Sequence, residues 1–506
     1  MREILEILCG IIVLIFVFYY YYKLKFDFWK KHGIPGPKPT IYFGMVKDII
    51  LQKKIPLEYY KEIYDEYKHA SLVGFFNKTV PILMIIDPAL IKDVLITDGM
   101  IFTGRGIRYS KKAEPFEPLM DTLFYTKEEE ALHLRAKLSP LFTPSKLKNM
   151  LSLLIQRSEA FKNWLDNSLL LKNKYINCNE LAAKLTADFS SVSLFNYDVK
   201  TFQDKKIEIY KYVKKFNKGD SWKYILKQLL PDKVIYNKLY DLISYYLFDA
   251  ELTQFCIRFA MDIVNDRRKH NIFKYDVINI LKEFEKNNKW TEKKEILGQH
   301  FSTELFMFFL AAFETSAVTI SNTLYELALN HTIQNRLREE IRNTYIKNNG
   351  EITFDDINMM FYLDAVYKET LRKYPLVDLL TRQASSAYTF RNSQLTVPKG
   401  QIVSIPVHGI HSDPDIYPKP EIYDPERFIG EAARSRKSMH YIPFGYGSRN
   451  CIGERFGILQ IKMGLITFLR NYKFEVCEKT PKKLKYISSI LVQQPNEIYL
   501  KVTKIE

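Results

Sequence analysis

The sequence predicts a mainly α-helical protein with a smaller β region (α+β), built as one large domain behind an N-terminal membrane helix. Long helical patterns dominate from about residue 41 onward, for example over about 296–330 and about 332–347. Shorter runs rich in β-branched residues are typical of strands, as in SLVGFF, VPILMII, QLTVP and IVSIPV. No flexible linker follows residue 41, which favours a single domain although 506 residues would allow about three.

The composition is that of a globular protein from a reducing compartment. Hydrophobic residues make up 47% of the chain, enough for a large core. The five cysteines are scattered and form no C-x-x-C pair, which argues against a disulfide framework and against structural zinc. The net charge of +16 indicates a negatively charged partner. We expect a membrane surface or an acidic protein instead of nucleic acid, because no basic recognition motif is apparent.

The amino terminus is predicted to be a transmembrane anchor over residues 1–24. The run between Glu6 and Lys23 holds 16 uncharged residues, and a spanning helix needs roughly 20 apolar residues. A signal peptide is disfavoured because Arg2 is balanced by acidic neighbours and no small-residue cleavage site follows. A buried core helix is the remaining alternative.

The residues after the anchor predict its orientation. Four lysines follow the apolar run, namely Lys23, Lys25, Lys30 and Lys31. By the positive-inside rule, the part of the chain after the anchor then lies on the cytoplasmic side. The segment 25–40 contains GIPGPKPT and is predicted to be a stiff Pro/Gly-rich linker. The catalytic domain would then comprise residues 41–506.

The segment PFGYGSRNCIG (443–453) places a single cysteine, Cys451, in a glycine-rich loop. Zinc is disfavoured because the nearest further ligand is His440. A nucleophilic cysteine and an inert buried one stay open as alternatives. The glycines let backbone N–H groups approach the sulfur, and a predicted helix over Ile452–Leu465 points its amino end at it. Both features favour a thiolate.

A thiolate shielded by apolar neighbours such as Phe444 suits one axial bond to haem iron, with Arg449 placed to pair with a haem propionate. The stretch FGYGSRNCIG matches F-x-x-G-x-R-x-C-x-G at every fixed position. That pattern is the haem-binding signature of the cytochrome P-450 superfamily, the haem-thiolate monooxygenases. The chain resembles this family almost end to end, and it is most similar to insect microsomal members linked to xenobiotic metabolism.

The resemblance implies the cytochrome P-450 fold and a heme b cofactor (iron protoporphyrin IX, haem below) with Cys451 as the metal ligand. Dioxygen would be the co-substrate and NADPH the electron source. No flavin or nicotinamide fingerprint is apparent in the chain, so the electrons would arrive from a separate NADPH–cytochrome P-450 reductase. Cytochrome b5 is a further candidate donor.

Two acid-containing motifs support the resemblance. In YKETLRKYP, Glu369 and Arg372 have a spacing that is ordinary on any helix surface. They resemble the family's E-x-x-R, and YDPERF resembles the stretch that supplies its third member, Arg427. The resemblance implies a buried, hydrogen-bonded structural network beneath the haem.

FFLAAFETSAVTIS (308–321) places Glu314 and Thr315 inside an apolar helical segment. A hydroxyl bonded back to the carbonyl four residues earlier is the structural alternative. The segment resembles the family's distal helix, in which a bend opens a groove for dioxygen and water. The resemblance implies that Thr315 delivers protons and stabilises dioxygen, with Glu314 as its acidic neighbour.

Two more arginines match positions that bind propionates in relatives: Arg135, in a helix resembling W-x-x-x-R, and Arg382.

The chain departs from the family pattern at Ala131, which stands in place of tryptophan and removes a propionate donor. It departs again at Ala312, which stands in place of glycine and narrows the dioxygen groove. At Asp378 relatives tend to have proline; we expect this acid to face the protein, and the alternative is selection of a cationic or hydroxylated substrate.

The function implied is that of a single-pass enzyme of the endoplasmic reticulum membrane, which inserts one oxygen atom into a lipophilic xenobiotic or endogenous lipid or hormone. The apolar pocket candidates are Phe308, Leu379, Leu380 and Ile490–Leu491. Basic side chains near the haem segments suit docking of the acidic reductase: Lys137, Arg434, Arg436 and Lys437. Two alternatives are a haem-thiolate isomerase or dehydratase acting on hydroperoxides, which the acid–alcohol pair disfavours, and a non-enzymatic haem or ligand binder.

Overall fold

The computed structural model describes most of the chain, namely residues 2–51, 53–106, 122–124, 128–169, 174–199, 201–202, 212, 250–272, 276–287, 294–391, 394–487 and 492–505. Long helices dominate these residues and small sheets flank them, as the α+β prediction requires.

The larger sheet has the strand order β1-β2-β7-β4. Strands β1 (Leu72–Asn77) and β2 (Val80–Ile85) form an antiparallel hairpin. Strand β7 (Ile402–Pro406) runs parallel to β2, and β4 (Leu379–Gln383) pairs with β7 antiparallel, so that Leu379 lies opposite Pro406. β7 is buried along its whole length, and its sequence is accordingly mainly apolar and rich in β-branched residues: Ile402, Val403 and Ile405.

The remaining strands form smaller sheets within the described residues. Strand β11 (Tyr499–Lys504) lies between β3 (Ile176–Asn177) and β8 (Tyr472–Glu475). Two short hairpins join β5 (Tyr388–Thr389) to β6 (Thr396–Val397), and β9 (Tyr486–Ile487) to β10 (Gln494–Pro495).

The longest helix of the domain, α11 (Lys294–Leu329), starts and ends close to the predicted limits. It packs against α8 (Cys178–Phe195) and α17 (Glu454–Asn471). At the crossing with α17 the packing is tight, because a Cβ on Gly464 would lie 2.6 Å from the Ile320 side chain. The other helices are α1 (Arg2–Phe26), α2 (Phe28–Lys31), α3 (Lys47–Ile50), α4 (Pro56–Tyr67), α5 (Pro88–Lys92), α6 (Glu128–Leu138), α7 (Pro144–Trp164), α9 (Ala250–Lys269), α10 (Val277–Asn287), α12 (His331–Lys347), α13 (Phe354–Met359), α14 (Phe361–Lys373), α15 (Val407–His411) and α16 (Gly430–Arg434).

Local sequence explains several helix starts. The Asp87 side chain accepts hydrogen bonds from the Ala89 and Leu90 N–H groups, and Pro88 occupies the first helical position of α5. Helix α13 begins with a capping box between Thr353 and Asp356. These signals satisfy backbone donors that helix ends otherwise leave unpaired.

Helix α1 has a mean hydropathy of 2.4 over its most apolar stretch, none of which is buried. A second apolar segment, Phe301–Leu329, is as long as a membrane span but is 83% buried inside the domain. Hydropathy alone would therefore have accepted both segments. Burial identifies the second as core and is consistent with the first as a membrane anchor.

The segment after the anchor is docked on the larger sheet. The Trp29 Nε1 donates to the Phe75 carbonyl at 3.0 Å, and a Cβ on Gly74 would lie 2.2 Å from the Trp29 ring. A Cβ on Gly36 would lie 1.9 Å from the Gly74 carbonyl oxygen. The residues 25–40 thus contact the domain in addition to joining it to the anchor, and the division at residues 24 and 40 stays a prediction.

Two hydrophobic cores meet at the Cys451 loop. One core surrounds α11 and includes Phe444 at its edge, whereas the other surrounds the larger sheet and includes Ile442. Leu379 and Leu380 of β4 pack on the sheet core. The loop 443–453 therefore lies at the junction between the helical and the β parts.

Candidate active site

The Cys451 loop has a backbone that two glycines make possible. Gly445 and Gly447 adopt φ angles of +69° and +77°, the left-handed region that side chains disfavour. A short 3-10 turn, Gly447–Arg449, follows, and the Cys451 N–H donates to the Phe444 carbonyl at 2.8 Å. Helix α17 then begins at Glu454, two residues later than predicted, with its amino end directed at the loop.

Gly447→Ala is expected to disrupt this loop, whereas Gly453→Ala is expected to leave it intact. A Cβ at position 447 would lie 1.7 Å from the Leu95 carbonyl oxygen, a backbone atom that cannot rotate away. The positive φ angle alone costs about 1–3 kcal/mol for a residue with a side chain. A Cβ at Gly453 meets no atom within 4 Å. Thermal unfolding of the full chain measures both effects, and equal Tm values for the two variants would contradict this geometry.

The Cys451 side chain is exposed, but its surroundings are not those of a surface thiol. Desolvation raises the pKa of the thiol and outweighs the hydrogen bond from the Gly453 N–H, which lowers it. Glu454 raises the pKa further, while Arg135 and Arg105 lower it. Accessible area combined with strong desolvation indicates a sulfur that faces an enclosed cavity. The Gly453 N–H thus acts in the predicted direction, towards the thiolate, but in the surrounding protein the burial effect is larger than this local stabilisation.

Four guanidinium groups gather near Cys451. Arg135 donates to the Asn450 side-chain oxygen at 3.0 Å, and Arg449 donates to the Thr103 carbonyl at 2.7 Å. Burial first, and then the Arg449 and Arg135 charges, together lower the pKa of Arg382 to about 10. The three arginines chosen from the sequence are therefore brought together by different elements: α6, β4 and the Cys451 loop.

The fourth guanidinium, Arg105, was not predicted. Burial, the largest cause, and repulsion from Arg382, Arg449 and Arg135 together lower its pKa to about 9. Its group lies 4.2 Å from the Phe124 ring centroid, and its buried Nε has no hydrogen-bond partner among the described residues. A cluster of buried positive charges with an unsatisfied donor indicates an anionic group as its partner. Arg105 follows Gly104 in an unremarkable stretch, so no local motif marks it.

One narrow face of α11 is accessible inside the otherwise buried helix. Between residues 302 and 328, the side chains that are not buried are Phe308, Ala311, Ala312 and Thr315. Their spacing of three and four residues places them on a single helical face. The Thr315 Oγ1 donates to the Ala311 carbonyl at 2.8 Å, and the helix is continuous from Lys294 to Leu329. The bond from the hydroxyl to the carbonyl four residues earlier, the structural alternative at Thr315, is therefore observed, and the hydroxyl oxygen keeps its capacity to accept a hydrogen bond.

Glu314 points to a different side of α11 and does not meet the Thr315 hydroxyl. It is 3% exposed and accepts a hydrogen bond from the Gln494 Nε2 of β10. Glu314 and Gln494 line a cavity of about 620 Å³ between α8, α11 and the β9–β10 hairpin. Lys479 also borders this cavity, whereas Thr315 does not line it. The acid and the alcohol are thus neighbours in sequence that face two separate spaces.

Glu369 and Arg372 form a fully buried ion pair on α14. Two hydrogen bonds of 2.7 and 2.8 Å join the guanidinium to the carboxylate, and both side chains are 0% exposed. Arg427 approaches the same carboxylate at 3.5 Å, and the Asp424 N–H donates to it at 3.0 Å. Desolvation raises the pKa of Glu369, while Arg372 lowers it. The predicted three-residue set is present, with Arg427 as the more distant member.

A histidine links this set to the Cys451 loop. Arg372 donates to the His411 carbonyl at 2.9 Å, and the His411 Nε2 accepts the Ile442 N–H at 3.0 Å. Burial lowers the pKa of His411 to about 3, with Arg372 adding to the shift, so the ring is neutral and free to accept. Through His411, the Glu369–Arg372 ion pair therefore holds in place the backbone segment that leads into the Cys451 loop at Pro443. His411 lies outside any predicted motif.

The remaining predicted residues are placed as follows. The Leu380 side chain lies 3.8 Å from the position of a Cβ on Gly445, so β4 borders the Cys451 loop. Ile490 and Leu491 lie outside the described residues.

Among the basic side chains predicted for docking, Arg436 stacks on the Phe428 ring with 4.2 Å between the guanidinium carbon and the ring centroid, whereas Arg434 and Lys437 are exposed. Lys137 of α6 is partly buried.

Comparison with known proteins agrees with this geometry. Residues 34–502 match the family model described as Cytochrome P450. The chain is 34% identical over 486 residues to "Probable cytochrome P450 6a23" of Drosophila melanogaster, covering 95% of each protein. It is 31% identical over 476 residues to "Cytochrome P450 6B1" of Papilio polyxenes, covering 91% of this chain and 92% of that protein. It is 32% identical over 482 residues to "Cytochrome P450 6k1" of Blattella germanica, covering 91% and 90%. The predicted fold and the predicted resemblance to insect members are thereby confirmed, and the chain belongs to the cytochrome P450 family, whose members are generally haem-thiolate monooxygenases.

Proposed function

We propose that this protein is a membrane-anchored oxidoreductase that inserts one atom of dioxygen into a lipophilic organic substrate. The observation that carries the proposal is the arrangement around Cys451: one cysteine faces a cavity, with four guanidinium groups beside it. Membership of the family implies haem, and the proposal assigns these residues to it. A separate observation, the accessible face of α11, supplies a wall on which dioxygen and substrate can meet.

The residues fit an iron porphyrin with two propionates. Cys451 would ligate the iron, because a metal ion replaces the thiol proton outright and so overcomes the desolvation that otherwise raises the thiol pKa. Arg135, Arg382 and Arg449 would bind the propionates, and Arg105 would do so through its unsatisfied Nε. Haem held in this way supplies the activation of dioxygen, and the protein supplies binding, orientation and protons.

Arg105 bears on the departure at Ala131. The alanine is 0% exposed and cannot donate to a propionate. Arg105 adds a charged donor to the same cluster, where Arg135 of α6 is one of its close neighbours. We therefore infer that the missing tryptophan donor is replaced by Arg105 and that haem retention does not suffer from the substitution.

The proton route combines the two sides of α11. Thr315 would hold a proton-donating hydroxyl beside the dioxygen site. When it does not donate to dioxygen, this hydroxyl would donate to the Ala311 carbonyl. Glu314 would take protons from the cavity of about 620 Å³ and, once its hydrogen bond to Gln494 breaks, its side chain would turn to the Thr315 side and deliver them there. Ala312 lies on the same accessible face, where its methyl group would narrow the space beside Thr315.

The electrons would come from NADPH through a separate reductase, with cytochrome b5 as a second candidate donor. Family members generally work with a reductase and with lipophilic substrates. The exposed Arg434 and Lys437 support docking of an acidic partner. The α1 helix supports anchorage in the endoplasmic reticulum membrane with the domain on the cytoplasmic side. The substrate would be a xenobiotic, such as an insecticide, or an endogenous lipid or hormone.

Reductase-supported turnover tests the proposal. The full chain, supplied with reductase and NADPH, should oxidise members of a panel of lipophilic compounds, and each product should carry one atom from ¹⁸O-labelled dioxygen. Product formation from hydroperoxides without NADPH would instead identify an isomerase or dehydratase. Haem binding with no product under either condition would identify a ligand binder.

Thr315→Val is expected to separate electron use from product formation. Valine keeps the shape of threonine but lacks the hydroxyl, so NADPH consumption should continue while product per NADPH falls about tenfold or more. Hydrogen peroxide release should rise correspondingly. Thr315→Ser restores a hydroxyl and should recover most of the coupling. An unchanged ratio of product to NADPH in Thr315→Val would show that this hydroxyl has no role in proton delivery.

A further inference from the structure

Asp378 is a carboxylate at the edge of the proposed substrate space. It directly precedes β4, and its carbonyl accepts the Val407 N–H at 2.9 Å, so the ladder between β4 and β7 continues through this residue. Its side-chain Oδ1 accepts the Leu379 N–H at 2.9 Å. Among the described residues no lysine, arginine or histidine forms an ion pair with it.

The strand register decides which way Asp378 faces. Side chains two residues apart along a strand share one face, so Asp378 lies on the face of Leu380 and Arg382. Leu380 touches the Cys451 loop at Gly445, and Arg382 belongs to the arginine cluster. Two residues of strand advance about 7 Å, which places Asp378 one side chain farther from the cluster on the same wall.

The surroundings of the carboxylate resemble those of Cys451. The side chain keeps some accessible surface, yet desolvation raises its pKa and outweighs the N–H groups of Leu379 and Asp378 that lower it. A carboxylate that is reachable but shielded from bulk water faces a cavity instead of the open surface. The sequence favours an Asp378 that faces the protein, and among the described residues the groups that bond to its carboxylate are backbone N–H groups.

We propose that Asp378 is a specificity-determining residue that binds a protonated amine of a lipophilic substrate. This inference rests on the proposed monooxygenase function, because it concerns the substrate that would bind beside Cys451. An ammonium group supplies both the opposite charge and the N–H donors that the free carboxylate oxygen requires. The apolar Leu380 and Phe308 would contact the hydrocarbon part of the same molecule, whereas Leu379 lies on the opposite face of β4.

A matched pair of ligands tests the proposal. Phenylbutyl dimethylamine and the hydrocarbon in which a CH group replaces its nitrogen differ mainly in charge. Equilibrium binding to the haem-loaded full chain should give a Kd for the amine that rises about tenfold in Asp378→Asn, the loss expected for a hydrogen bond to a charged group. The Kd of the hydrocarbon should stay unchanged. Asparagine keeps the acceptor for the Leu379 N–H, so the backbone of β4 is preserved.

Two further variants complete the test. Asp378→Glu keeps the charge and should retain most of the amine affinity, whereas Glu351→Gln removes an exposed charge and should change neither Kd. Equal weakening of both ligands in Asp378→Asn would assign the residue a structural role. An unchanged amine Kd, including one set by direct coordination of the nitrogen to iron, would also overturn the proposal.

Turnover distinguishes this inference from the function on which it rests. If the wild type oxidises the hydrocarbon but shows no Asp378-dependent preference for the amine, this proposal fails and the monooxygenase function stands. If the amine preference is found in binding but neither ligand is oxidised with NADPH and reductase, the monooxygenase function fails and the amine site stands.

Discussion

Glu369→Ala is expected to lower the free energy of unfolding by about 3–5 kcal/mol, because it leaves the guanidinium of Arg372 buried without its counter-charge. Both side chains are 0% exposed, so water cannot replace the lost partner. The second consequence is local to the active site. Arg372 positions the His411 carbonyl, and the His411 ring holds the Ile442 N–H at the entrance to the Cys451 loop. The yield of haem-loaded protein should therefore fall together with stability.

Denaturant unfolding of the full chain and its haem content measure the two effects. Lys148→Ala serves as the matched control, because its ion pair with Asp355 is exposed and should contribute no more than about 1 kcal/mol. The double variant Glu369→Leu with Arg372→Met removes both charges and should recover part of the lost stability. A Glu369→Ala protein within 1 kcal/mol of the control would contradict the role of this network.

Cys451→Ala is expected to abolish NADPH-dependent product formation while leaving the fold in place. The change removes only the sulfur, and the Cys451 N–H keeps its bond to the Phe444 carbonyl. The arginine cluster would still attract the propionates, so the variant should bind some haem without the thiolate ligand. Arg105 and Arg382 would carry that residual binding, because burial and the neighbouring guanidinium groups favour an anionic partner for both.

Cys9→Ala is the matched control, since it removes an exposed thiol of the anchor helix. It should keep full activity and full haem content. Product formation at the wild-type rate in Cys451→Ala would show that another residue ligates the iron. A global loss of structure in that variant, seen by circular dichroism, would show that Cys451 has a packing role instead.

Local patterns made much of the fold predictable. The limits of α11 and α12 agree with the predicted stretches to within a few residues, because both are long and strongly periodic. The Cys451 loop and the Glu369–Arg372 spacing were recognisable because their chemistry is written in consecutive residues. Helix α17 began later than predicted, since Ile452 and Gly453 belong to the turn that carries the cysteine.

Tertiary contacts account for what the sequence concealed. Arg105, His411 and Gln494 lie in stretches without a motif, and they acquire their places only when distant segments meet. The pKa of Cys451 depends on how much protein surrounds the sulfur, which no local pattern measures. The direction of Glu314 follows from the helical rotation of about 100° per residue that separates it from Thr315. Neighbouring residues on a helix face different spaces, so a sequence pair is not a structural pair.

The electronic spectrum of the reduced full-length protein with carbon monoxide tests the central claim most directly. If Cys451 ligates haem as a thiolate, the wild type should show the long-wavelength Soret band of a thiolate-ligated carbonyl complex. That band should be absent from Cys451→Ala and present in Cys9→Ala. A wild-type spectrum without the band, recorded on folded protein with bound haem, would contradict the assignment of Cys451 and with it the proposed monooxygenase.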